Sequence, residues 1–216
     1  MRSLALQTGE RVLDVGCGPG RHAHSLAAQG LRVVGVDIAE NFVRQATENG
    51  PEGSAFIRGD GRRLPLRGQS FDAAISLCQG GFGLPADPRA PDDAAVVSAM
   101  AAAVRPGGRL AMTAFSSYFL VRHLEEGDEF DAGAGVNREH TTVRNEGGEQ
   151  AEFDLWTACY TPRELRLLFA DAGLEVRGLW GVAPGRYGCR PPDLEHPELL
   201  VVAEKPSSGR GPTTTV

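Results

Sequence analysis

The chain has 216 residues, 41% of them hydrophobic and 23% charged, with a net charge of −6. That length suits one large domain whose core needs neither disulfides nor metal, and the scattered basic residues offer no face to neutralise a nucleic-acid backbone. Cys17, Cys78, Cys159 and Cys189 stand too far apart for a disulfide scaffold or a zinc site, no leader pattern or bilayer-length apolar run is visible, and a reducing cytoplasm is the default.

In chain order, Arg11–Val15 reads as a strand buried on both faces, carrying one acid at Asp14. It breaks into Gly16, Gly18 and Gly20, which allow positive φ and remove the Cβ atoms that keep a ligand off the backbone. A helix with Ala23, Leu26 and Ala27 on one face then stops at Gly30. A second strand, 31–36, ends in Asp37, and a helix with Phe42, Val43 and Ala46 on its apolar face ends at Asn49-Gly50. A third strand, 55–58, closes at Gly59-Asp60-Gly61, and a fourth, 71–78, opens into Gln79-Gly-Gly-Phe-Gly83. After a proline-rich loop come an alanine-rich helix from about 93 to 104, the turn Arg105–Gly108 and a fifth strand, 109–114. Strands alternating with helices predict βαβ units and a parallel sheet.

Residues 115–160 interrupt that rhythm with a polar stretch and a predicted hairpin, 139–144 with 151–160, turning at Glu146–Glu149. Thr161-Pro-Arg-Glu164 is a capping box with proline at N1, opening a helix that ends at Gly173. A sixth strand, 174–180, and a seventh, 199–204, flank a Gly/Pro-rich link too irregular for a crossover helix, so the two are expected to be antiparallel neighbours. Residues 1–205 thus read as a single domain and 206–216 as a disordered tail.

Ligands of open α/β sheets sit beyond the carboxyl ends of the strands. Asp37 suits both hydroxyls of an unphosphorylated ribose, with helix capping as its plainer use. Asp60 suits an exocyclic adenine amine, with Gly61 leaving room for the ring, and a turn aspartate is the alternative. Asp14, Asp37 and Asp60 are expected to border one cavity and to suit a cationic ligand.

The glycine spacing departs from the dinucleotide fingerprint G-x-G-x-x-G, because the third glycine comes one residue early and Arg21 holds its place. With Asp14 two residues ahead of the first glycine, the stretch resembles motif I of the class I S-adenosylmethionine (SAM)-dependent methyltransferases. The resemblance covers about 9–115 and 161–205. It implies a doubly wound, seven-stranded, mostly parallel sheet in order 3-2-1-4-5-7-6, with a hairpin insertion after strand five, and SAM as cofactor. It assigns Asp14, Gly16, Cys17, Gly18 and Gly20 to the methionine part and Asp37 with Ile38 to ribose and adenine. Asp60 and Gly61 fall at the adenine edge, and Leu77, Cys78 and Gln79 beside the methyl group. Relatives usually carry helices before strand one that cover the cofactor, and this chain has almost none. The Asn/Asp-Pro-Pro-Tyr signature of amino-group nucleic-acid methylators is also missing.

The implied activity is methyl transfer to O or N of a small-molecule acceptor, without nucleic acid, membrane or metal, and a homodimer is a candidate assembly that would supply cover. The insertion is expected to form the acceptor side. Its candidates are Tyr118, His123, His140, Trp156 and Tyr160, with His123, His140 and Tyr160 for acid–base work, each alternatively a surface or packing residue. His22, on the first helix, is a candidate for the cofactor carboxylate, and Cys17 is a small apolar filler. Two other readings stay open: a SAM-binding protein without transferase activity, and a nicotinamide-dependent oxidoreductase.

Overall fold

In the computed structural model, which describes residues 4–78, 80–85, 92–144 and 150–207, β1 (Arg11–Val15) pairs in parallel with a neighbour on each side. That double pairing is why its sequence is an almost unbroken apolar run. One neighbour is β2 (Arg32–Asp37), reached through α1 (Arg21–Ala27), and beyond it, after α2 (Glu40–Glu48), lies the edge strand β3 (Ser54–Arg58). The other is β4 (Phe71–Ser76), followed by α3 (Asp93–Ala103) and β5 (Val104–Ser116). Arg105–Gly108, expected as a turn, is instead a bulge inside β5, between the pairs Phe71↔Val104 and Ala73↔Arg109.

Residues 115–160 hold α4 (Ser117–Arg122), β6 (Asp128–Asp131), β7 (Val136–Arg144) and β8 (Gln150–Tyr160). The predicted hairpin is therefore a three-stranded antiparallel sheet whose last strand joins β5 at Phe115↔Cys159 and Ser116↔Tyr160. The added strand β6 is four residues long and mostly acidic, so it lacks any strand pattern. Side chains secure it: Asn137 Nδ2 donates to Asp128 Oδ1 at 2.8 Å and Arg138 Nη1 to Glu129 Oε2 at 2.8 Å. The expected turn at 146–149 lies outside the described residues, as do Gln79 and most of the tail.

The capping box forms, with Glu164 N–H donating to Thr161 Oγ1 at 3.2 Å and Thr161 N–H to Glu164 Oε2 at 2.6 Å. It starts α5 (Pro162–Asp171), and β9 (Glu175–Ala183), β10 (Arg186–Arg190) and β11 (Glu198–Glu204) complete the sheet. The order is β3-β2-β1-β4-β5-β11-β9-β10. Counting β9 as sixth and β11 as seventh recovers 3-2-1-4-5-7-6, with β11 antiparallel to both neighbours. The link read as irregular contributes β10 as an extra outer strand.

The sheet divides two apolar layers. Leu13 and Val15 of β1 pack with Met100, Leu110, Leu165 and Phe169 on the side of α3 and α5. Val12 packs with Ala23, Leu26 and Ile75 on the side of α1. Strand alternation therefore sends Asp14 to the α1 side.

Candidate functional site

The turn after β1 is built by its glycines. Gly16, Gly18 and Gly20 have φ of +70°, +53° and +89°. A Cβ at Gly16 would stand 1.9 Å from the Gly80 carbonyl carbon, so the loop after β4 rests directly on this turn. Asp37 braces it: one carboxylate oxygen accepts from Gly18 N–H and the other from Ala39 N–H, both at 2.8 Å. The turn, the end of β2 and the start of α2 thereby become one unit. Cys17 is buried, which pushes its thiol up to about 12 and keeps it protonated.

Asp14 departs from the expectation. It is buried on the α1 side, where the Ala23 N–H in the first turn of α1 hydrogen-bonds to it, and it does not line the cavity that Asp37 and Asp60 share. The reason is parity, since Leu13 and Val15 take the opposite face. Its Oδ2 has no hydrogen-bond partner among the described residues. Burial, reinforced by the nearby Asp37 charge, pushes its carboxyl up to about 7 against the lowering pull of Ala23.

The shared cavity, about 300 Å³, opens beyond the ends of β1, β2 and β3 and is lined by Gly16, Asp37, Ile38, Asp60 and Gly61. Its far wall is Leu84, Asp93 and Val96, from the loop after β4 and from α3. Arg62 also borders it and was not foreseen. Its Nε and Nη2 donate to Asp60 at 2.9 and 2.7 Å, holding that carboxyl below the usual range. An arginine two residues past a turn aspartate was the available signal. Cys17, Gly18, Gly20, Leu77 and Cys78 are not among the lining residues: the glycines and Cys17 shape the turn behind it, and the other two belong to the end of β4.

At that end Cys78 has φ +54°, its N–H donates to Thr113 Oγ1 at 2.9 Å, and its Sγ lies 3.4 Å from Tyr187 Oη. Leu77 points to the α1 side, where with His22 and Tyr187 it borders a second cavity. His22 is partly buried, which lowers its basicity, as does neighbouring Arg21.

The expected acid–base residues are not brought together. His140 is exposed on β7, with Nδ1 3.0 Å from Asp154 Oδ1, a contact that raises its pKa. His123 lies tilted against Phe119 at 4.4 Å between centroids, with Nε2 3.5 Å from Glu195. Tyr160 is half-buried, donates to Asp93 and stacks on Phe82 at 5.0 Å. None of the three lines the shared cavity. Tyr118 is exposed on α4, and Trp156 carries the Arg138 guanidinium 5.5 Å above its ring.

Residues 12–108 match a family model described as a methyltransferase domain. Over 115 residues the chain is 37% identical to a demethylmenaquinone methyltransferase of Beutenbergia cavernae, covering 53% of this chain and 45% of that protein. Over 118 residues it is 33% identical to a 27-O-demethylrifamycin SV methyltransferase of Amycolatopsis mediterranei, covering 52% of this chain and 41% of that one. A SAM-dependent Diels-Alderase from Neonectria is 28% identical over 150 residues, 66% of this chain and 54% of that protein. The chain thus spans about half the length of the curated relatives it matches. Among solved structures, the CcbJ methyltransferase from Streptomyces caelestis shares the fold at a TM-score of 0.78 and 22% identity, over 94% of this chain and 86% of that one. No helix among the described residues is long and apolar enough to cross a membrane. Every residue lining the cavity at the strand ends falls within the matched stretch, so the part of the chain that builds the site is similar to the methyltransferase domains that use S-adenosylmethionine.

Proposed function

We propose that the protein transfers a methyl group from SAM to oxygen or nitrogen of a small-molecule acceptor, with the adenosyl part held in the cavity at the ends of β1, β2 and β3. One observation carries the reading: Gly16, Asp37 and the Asp60–Gly61 pair, from three successive strand ends, border a single cavity. The residues fit the cofactor. Asp37 keeps free lone pairs for ribose hydroxyls after accepting its two backbone N–H groups. Asp60, steadied by Arg62, faces the adenine edge, and Ile38 and Val96 offer apolar surface to the ring. Asp14, buried with its Oδ2 unpartnered among the described residues and its carboxyl raised to about 7, gives up its proton as the methionine ammonium approaches and then supplies negative charge behind the glycine turn.

When bound, SAM supplies an electrophilic methyl on an excellent leaving group. The chain's part is then alignment and exclusion of water. The loop after β4, resting on Gly16, walls the site, and the insertion holds that loop: Ala158 N–H donates to Gly83 O at 2.9 Å, while Gly83 N–H donates to Asp93 Oδ1 at 3.1 Å. In this reading His123, His140 and Tyr160 do not touch the reacting atoms, and the insertion acts on the site through the loop.

Calorimetry with S-adenosylhomocysteine, followed by transfer of labelled methyl from SAM to a panel of phenols and amines, tests the reading. Binding with transfer is expected, and absence of binding refutes it. The SAM-dependent Diels-Alderase among the relatives favours one second reading, cofactor binding without transfer. Tight binding with no labelled product from any acceptor identifies that outcome.

A further inference from the structure

The end of β4 is approached from the far edge of the sheet. Tyr187 belongs to β10, and β9, β11 and β5 lie between β10 and β4. At about 4.8 Å per strand a flat sheet would keep the two roughly 19 Å apart, far beyond a tyrosine's length. Yet Tyr187 Oη stands 3.4 Å from Cys78 Sγ. While β9 stays paired with β11, β10 therefore curls out of the plane of the sheet, past the ends of β11 and β5 toward that of β4. Its pairing allows this, because the register shifts between Arg186↔Ala183 and Arg190↔Gly181, and such irregularities bend strands.

Tyr187 remains 47% exposed. With Leu77 and His22 it borders a groove of about 300 Å³ whose floor is Ile75, Ala111 and Leu200. Desolvation first, then the contact with Cys78, raises the phenol's pKa, so the hydroxyl stays protonated and available as a donor. A thiol sulfur is a weak acceptor, so exchanging it for an oxygen or nitrogen of a bound molecule strengthens the bond.

We infer that Tyr187 positions the methyl acceptor: its hydroxyl hydrogen-bonds the acceptor's heteroatom at the end of β4, and the groove over Ile75, Ala111 and Leu200 takes the acceptor's apolar body. The acceptor class is a neutral aromatic alcohol or amine of one or two rings, since the groove is apolar and lies near the lower end of small-molecule sites in size. The inference rests on the cofactor reading above and on the family resemblance, which implies that the methyl group lies beside Leu77 and Cys78. It moves the acceptor side from the insertion to the β9–β10 hairpin.

The test uses the full chain saturated with S-adenosylhomocysteine, 1-naphthol as probe, naphthalene as the same body without a heteroatom, and Tyr187→Phe. The wild-type complex is expected to bind 1-naphthol about fivefold more tightly than the variant does, as one hydrogen bond supplies. Naphthalene is expected to bind both equally, and the affinity for S-adenosylhomocysteine to stay unchanged. No binding of 1-naphthol to the wild type, or equal binding by the variant, overturns the inference, and so does an equal loss for naphthalene, which would make the tyrosine only a wall. Failure to bind S-adenosylhomocysteine at all overturns the cofactor reading, and this inference with it, and is visible before any acceptor is added.

Discussion

Tyr160 at the end of β8 donates its hydroxyl to Asp93 at the start of α3, and through that buried acid the insertion grips the loop after β4. The residues lie 67 positions apart. Tyr160→Phe keeps the stack on Phe82 but leaves one oxygen of Asp93 without its donor. The expected cost is about 1–3 kcal/mol of stability, measured by urea unfolding, with weaker S-adenosylhomocysteine binding as the loop loosens. Unchanged stability and affinity would show that the contact does not restrain the loop.

Gly16 and Gly18 both have positive φ but differ in surroundings, so alanine separates strain from collision. At Gly18 an added Cβ meets nothing within 4 Å, and Gly18→Ala is expected to cost about 1–2 kcal/mol of backbone strain with cofactor binding retained. At Gly16 the Cβ would meet the Gly80 backbone, which must move. Gly16→Ala is expected to abolish S-adenosylhomocysteine binding in calorimetry. Equal behaviour of the two variants would contradict the packing of the loop on the turn.

Asp14 makes stability depend on pH. Its carboxyl is raised to about 7 in the folded chain from 3.8, so the native state holds a proton that the unfolded state has released between these values. The stabilisation is fully present below pH 3.8 and is lost as pH rises to 7, a change of about 4 kcal/mol from this group. Asp14→Asn is expected to flatten that part of the profile in urea unfolding at pH 5 and pH 8. Cofactor binding, which brings a cation near Asp14, is expected to release a proton near pH 6.5, read from calorimetry in buffers of different ionisation enthalpy.

Asp37 links two backbone donors to the cavity. Asp37→Ala strips Gly18 and Ala39 of their acceptor and removes the carboxylate assigned to ribose. A loss of about 2–3 kcal/mol in stability and at least a tenfold drop in S-adenosylhomocysteine affinity are expected. Asp37→Asn, which retains one acceptor oxygen, should fall between the wild type and the alanine variant on both measures. A stability loss without any change in affinity would reduce Asp37 to a brace.

Much of this was legible in the residues themselves. The apolar run of β1, the punctuation by glycine and the box at Thr161–Glu164 encode strand, turn and helix start through short-range sterics and hydrogen bonds. They were enough to place seven strands along the chain and to set Asp37 and Asp60 at their ends, whereas the spatial order of those strands was implied only by the family resemblance. Even the facing of Asp14 was latent in the alternation of Leu13, Asp14 and Val15, once the face taken by α3 was known. What only the tertiary structure decided are the meetings of distant residues: Tyr160 with Asp93, Tyr187 with Cys78, and Gly80 with Gly16. No local pattern marks them, because they arise where a sheet bends and packs, and side chains far apart along the chain come within reach only after the backbone between them has folded.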